Sequence, residues 1–148
     1  MPKLLTRFLL SILLLLSHAV LAEQAVTIEI TNAEVRQPML GRSVTAGYFT
    51  LHNTSEQSIS LIAVSTEAFQ RVELHQHSHQ NGVMRMEQID AIKIAAKSEV
   101  HLTPGGLHLM LFEPNTELAL GDLITMQLTF SDQQVISIKV PIVALPKR

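Results

Sequence analysis

From Val26 onward no stretch of the chain repeats its apolar residues with the 3.6-residue period of a helix. Short runs rich in Val, Ile, Thr, Phe and Leu alternate instead with clusters of Gly, Pro, Asn, Asp and Ser. That punctuation is the signature of strands joined by turns. Strands are expected near residues 26–30, 45–52, 59–64, 70–77, 83–94, 99–103, 107–112, 123–130 and 135–140, with room for a short helical turn within residues 63–72. Ile124, Met126, Leu128 and Phe130 alternate with Thr125, Gln127 and Thr129, so this run offers one apolar and one polar face. Many short, half-buried strands of this kind hide their apolar faces by packing sheet on sheet. The expected fold is therefore all-β, an antiparallel β-sandwich with Greek key connections.

Residues 1–22 stand apart. Lys3 and Arg7 precede an apolar run over residues 8–16, and small residues lead to Val20-Leu21-Ala22. This is the layout of a secretory signal peptide cleaved after Ala22. The run falls short of the roughly 20 apolar residues that span a bilayer, and nothing later approaches that length. Residues 23–148 are expected to be one exported domain, monomeric and without membrane insertion. Losing Lys3 and Arg7 from 11 basic residues leaves nine against 13 acidic ones, a net charge of −4 with His neutral. Such a balance offers no electrostatic attraction for nucleic acid. The chain has no cysteine, so disulfides, a lipid attached through Cys, a blue-copper thiolate and a haem held by C-x-x-C-H are all excluded.

The unusual wealth is in His and Met, seven and six residues against one Tyr and no Trp. Asn81-Gly82 is a strong two-residue hairpin signal. A turn there sets His77 across from Met86 and His79 across from Met84, with His75 one diagonal step from Met86. Parity then puts all five side chains on one face. Further on, Thr103-Pro104-Gly105-Gly106 has Pro and Gly where a type II turn wants them, and it launches a strand in which His108 and Met110 point the same way. Imidazoles and thioethers together favour Cu(I) over harder ions such as Mg²⁺ or Ca²⁺. Thioethers also survive in an oxidising compartment, where thiols are drawn into disulfides.

The spacing His75-x10-Met86-x21-His108-x-Met110 resembles the motif of the PCu(A)C family of periplasmic copper chaperones. The surroundings Val-Glu-Leu-His, Gly-Val-Met-Arg-Met and Pro-Gly-Gly-Leu-His-Leu-Met resemble the family as well, as does Ala46-Gly47-Tyr48-Phe49-Thr50-Leu51. The resemblance implies a cupredoxin-like sandwich holding Cu(I) at an exposed site formed by His75, Met86, His108 and Met110. It also implies a periplasmic location and a copper-accepting partner, a cytochrome c oxidase subunit or a Sco-type protein, during assembly of the oxidase copper centres. The chain lacks the His- and Met-rich tail that some members carry. His77, His79 and Met84 beside the motif are further candidate ligands and could add a secondary Cu(II) site.

Read singly, each of these residues has a plainer meaning. Met86 and Met110 would fill gaps in a core, His108 would be a hydrogen-bonded core histidine, and His77, His79 and Met84 would belong to a polar hairpin tip. Only the joint spacing makes a metal site of them. His52 and His101 read as solvent-facing strand residues and Met39 as a loop anchor, while Glu73, Glu87 and Glu113 are equal candidates to orient a ligating imidazole. No Ser/His/Asp set, phosphate-cradling Gly loop or paired carboxylates support an enzyme. The expected role is a non-enzymatic Cu(I) carrier, with a copper storage or tolerance protein lacking a dedicated recipient as the alternative. Protonation of His75 or His108 below about pH 6 is expected to compete with copper.

Overall fold

The structure, a computed structural model, describes residues 27–39, 41–80 and 82–146, so the signal-peptide reading of residues 1–22 lies outside the described residues. Ten strands form: β1 (Ile28–Arg36), β2 (Val44–Asn53), β3 (Ile59–Thr66), β4 (Phe69–Gln80), β5 (Val83–Gln88), β6 (Ile92–Ile94), β7 (Ser98–His101), β8 (Leu107–Pro114), β9 (Leu123–Phe130) and β10 (Val135–Val143). One layer has the order β5-β4-β8-β2-β1, with β7 paired to β2 beyond the end of β8, and the other has the order β10-β9-β3-β6. The layers join where β1 and β10 run side by side at Val35–Ile142 and Arg36–Val143. That pairing is parallel and every other strand pairing is antiparallel, which amends the purely antiparallel expectation at a single seam. Among the described residues there is no helix.

Alternation explains where the core sits. Ile124, Met126, Leu128 and Phe130 of β9 are buried as their period of two requires, and they meet Phe49 and Leu51 of β2 and Leu109 and Leu111 of β8 in one apolar cluster. Burying a large aliphatic side chain of this kind contributes about 1.5–3 kcal/mol. At the end of β2, Asn53, 2% exposed, satisfies itself locally. Its Nδ2 donates to the carbonyls of Gln57 and Ala95 at 2.7 and 3.0 Å, and its Oδ1 accepts from the backbone N–H and hydroxyl of Ser55 at 3.0 and 2.7 Å.

Three boundaries differ from the sequence reading. The strand expected over residues 83–94 is two strands, because the chain changes layers: β5 pairs with β4, β6 pairs with β3, and the Ile89 N–H donates to the Leu74 carbonyl at 2.9 Å where the crossing begins. No helical turn forms within residues 63–72. Val64 is buried and β3 pairs with β9 as far as Thr66, so tertiary pairing overrides local propensity. The first strand runs on to Arg36 through a bulge between Thr31 and Glu34, where Asn32 has φ +53°. A bulge breaks the period of two and hides the second half of the strand from pattern reading.

Leu109 lies between His108 and Met110 and is fully buried. Replacing it by Ala should cost about 3 kcal/mol through the cavity left behind, measured as a lowered urea midpoint with unchanged slope.

Candidate metal centre

The hairpin of β4 and β5 has the register that an Asn81-Gly82 turn dictates. Gln80 pairs with Val83, His79 with Met84 and His77 with Met86, and Gly82 takes φ +77°. Asn81 itself is outside the described residues. On its other edge β4 pairs with β8, which sets His75 directly across from His108 and Glu73 across from Met110. Directly opposed residues share a face. With Leu74, Leu109 and Leu111 turned into the core, the imidazoles and thioethers stand on the outer face of this layer.

The second turn also forms as its sequence demands. The Gly106 N–H donates to the Thr103 carbonyl at 3.0 Å, and Gly105 takes the left-handed conformation, φ +82°, that a type II turn needs after Pro. The carbonyl of Gly106 accepts twice, from the backbone N–H of His77 at 3.2 Å and from His108 Nδ1–H at 3.0 Å. A carbonyl can only accept, so the proton of the neutral His108 ring is on Nδ1 and the lone pair on Nε2. Nε2 faces the Met86 sulfur at 3.4 Å. Burial lowers the pKa of His108 and outweighs the Gly106 bond, while the neighbouring His77 and His75 push it the same way, downward. This ring is therefore kept neutral.

His75 is fixed from behind. Its Nε2–H donates to Glu73 Oε2 at 2.8 Å, Glu73 is gripped in turn by Arg71, and the Arg71 guanidinium lies 4.2 Å over the Phe112 ring. The carboxylate holds the proton on Nε2, which leaves a lone pair on His75 Nδ1, a buried atom with no hydrogen-bond partner. Of the three glutamates left open by the sequence, Glu73 is the one against a ring.

The other candidates divide. His77 stacks on His108 with ring centres 4.9 Å apart, and His75 lies 5.8 Å from the same ring. The Nδ1 of His77 is likewise buried and unpartnered. His79 and Met84 are exposed one paired step farther out, at the hairpin tip. Met39 is exposed rather than anchored, and it lines a groove of about 410 Å³ together with Tyr48, His77, Met86, His108 and Met110. Pattern reading missed that role because Met39 precedes β2 and has no strand parity to follow. His52 and His101 are not merely solvent-facing, since both bond to Glu99.

Residues 28–142 match the family described as "Putative lipoprotein LpqE-like". The chain belongs to the LpqE-like family. The uncharacterized protein RP573 of Rickettsia prowazekii (strain Madrid E) is 34% identical over 101 residues, 66% of this chain and 56% of that protein. The chain thus spans little more than half the length of this relative. Among solved structures, the copper-bound PCuAC domain from PmoF2 has a TM-score of 0.69 at 25% identity, over 82% of this chain and 97% of that one. The Cu(I) form of DR1885 from Deinococcus radiodurans gives 0.63 at 25% identity, over 83% and 82%. The cupredoxin-like sandwich implied by the motif is the fold of this LpqE-like chain, and the PCu(A)C resemblance is met by solved PCuAC domains.

Removing the clamp should be visible on the ring itself. In metal-free Glu73→Ala, the ¹⁵N resonances of His75 should move from a single Nε2–H tautomer toward a mixture, whereas those of His108, held by a backbone carbonyl, should stay in place.

Proposed function

We propose that this LpqE-like protein is a non-enzymatic Cu(I) carrier in which His75, Met86, His108 and Met110 hold the ion. The reading rests above all on His108 Nε2 and the Met86 sulfur facing each other at 3.4 Å. Two lone-pair donors brought together inside a half-buried pocket repel unless a cation sits with them, and neither donor brings a charge to do that itself. The unpartnered Nδ1 of His75 is a third such donor. Thioethers and neutral imidazoles are soft to borderline ligands, so they favour Cu(I), and zinc would more often recruit Cys or carboxylate. The likeness to copper-bound PCuAC domains supports the same cargo.

Transfer follows from openness. Met86 is 51% exposed, and the groove beside it gives an incoming ligand a route to the ion. A partner takes copper by stepwise exchange, displacing the exposed thioether first, while the clamped His75 and the carbonyl-bound His108 leave last. The recipient is a copper centre of cytochrome c oxidase or a Sco-type protein. Export by the leader over residues 1–22 puts the carrier in the periplasm, where those recipients assemble. The lipoprotein name of the family also fits an exported protein.

A Cu(I) competition titration against a chromophoric chelator, anaerobic and reducing, tests the ligand set. The wild type should bind one Cu(I) per chain. Met86→Leu and Met110→Leu, which nearly conserve volume, should each weaken binding at least about tenfold, or ~1.4 kcal/mol. Unchanged affinity in both variants would reject the thioether site. Faster loading of a copper-free oxidase domain from the protein than from free exchange separates a carrier from a store.

A further inference from the structure

Two histidines outside the β4-β5 hairpin and the Cu(I) centre, His52 and His101, converge at the other end of the same sheet face. Registers of β1, β2 and β7 align Thr31 with Thr50 and His101 in one row, and Glu29 with His52 and Glu99 in the next. Glu99 stands between the two rings. Its Oε2 is 3.0 Å from His52 Nδ1 and its Oε1 is 3.0 Å from His101 Nε2. The far nitrogen of each ring meets a threonine hydroxyl, His52 Nε2 with Thr31 Oγ1 at 2.9 Å and His101 Nδ1 with Thr50 Oγ1 at 3.1 Å.

We propose that His52, Glu99 and His101 form a second metal site, selective for a borderline divalent cation, Zn(II) or Cu(II). Three features carry this. An N···O separation of 3.0 Å is within a few tenths of an ångström of the roughly 3.0–3.4 Å that two donors about 2.1 Å from one ion subtend at square-planar to tetrahedral angles. Each imidazole already has the outer partner that a ligating histidine needs. A hydroxyl both donates and accepts, so Thr31 and Thr50 serve the rings in either tautomer and can take the proton-bearing nitrogen when the inner one turns to metal. The side chains of His52, Glu99 and His101 are 31%, 52% and 54% exposed, which leaves the ion a direct approach and room for water to complete its shell.

Metal-free, the three groups are linked through protons instead of being closed on one point, and no set of three imidazoles and carboxylates among the described residues is already gathered around a common centre. The cation takes the place of the two shared protons, which move to His52 Nε2 and His101 Nδ1 where the Thr31 and Thr50 hydroxyls accept them, and it draws both rings onto the carboxylate. Glu29, across from His52 on β1, adds a further negative charge on the same face. With a carboxylate and no thioether, the donor set suits Zn(II) and Cu(II) and disfavours Cu(I), the reverse of the first centre. Ala46, which pairs with Met110, lies six residue steps along β2 from His52, about 20 Å along a strand. The two sites do not share ligands.

The test is a Zn(II) titration of the protein followed by the ¹⁵N resonances of each histidine ring, in wild type, Glu99→Gln and His101→Gln. One Zn(II) should move the His52 and His101 rings together and be displaced by Cu(II). Both substitutions should weaken that response at least about tenfold, or ~1.4 kcal/mol, while the rings of His75 and His108 keep their metal-free positions and so report an intact fold. The proposal is overturned if Zn(II) leaves His52 and His101 unmoved, if only the rings of the β4-β5 hairpin respond, or if Glu99→Gln binds as the wild type does. Because the readout is ring by ring, failure of the Cu(I) carrier reading would not alter it.

Discussion

Leu109 and Leu111 are fully buried and β8 lies between β4 and β2, so this strand cannot rotate or slip without exposing core. Everything at the candidate metal centre hangs on that constraint. A one-residue slip would exchange the faces and drive His108 and Met110 into the apolar layer. Held in register, β8 fixes the height of His108 and Met110 and, through its pairing with β4, that of Glu73 and His75 as well. The hydrophobic core thereby acts as the frame of a polar site on the opposite face of the layer.

Local chemistry refines what the core positions. The Gly106 carbonyl ties a turn, a strand edge and a ring together, since it accepts from both His77 and His108. Arg71 and Glu73 do the same for His75, in an ionic manner. The two rings are thus aimed by different means, one by main chain that no substitution removes and one by a side-chain clamp. His77 has neither device, although it stacks on His108. In the proposed carrier this asymmetry would leave both rigidly held and loosely held rings beside the ion, a combination that suits its transfer.

Much of this was legible in the sequence because it rests on short-range rules. Asn81-Gly82 sets the hairpin register, Thr103-Pro104-Gly105-Gly106 sets the second turn, and parity assigns the faces of β4, β8 and β9. Long-range pairing was not legible. Nothing local says that β8 lies beside β4, that residues 83–94 divide between layers, or that β1 and β10 meet in parallel. The choice of Glu73 over Glu87 and Glu113 depends on that pairing too. So does the meeting of His52 with His101, which are 49 positions apart in the chain and become neighbours only when β7 pairs with β2.

The outer face of this layer also keeps the thioethers of Met84, Met86 and Met110 to one end. Thioethers and imidazoles gather where β4, β5 and β8 lie together, whereas carboxylate and imidazole gather where β7 meets β2. A chain with no cysteine cannot obtain a soft site from thiolate, and thioether supplies softness without charge or a labile proton. The cost is weaker donation by each ligand. The fold offsets it by presenting several lone pairs already desolvated, as His108 and the unpartnered His75 Nδ1 are, so that little reorganisation remains when an ion arrives. On the proposed ligand set, openness at Met86 would then limit how tightly the ion is kept. In the proposed carrier, affinity and release would accordingly be set by different residues, the buried imidazoles for the first and the exposed thioether for the second.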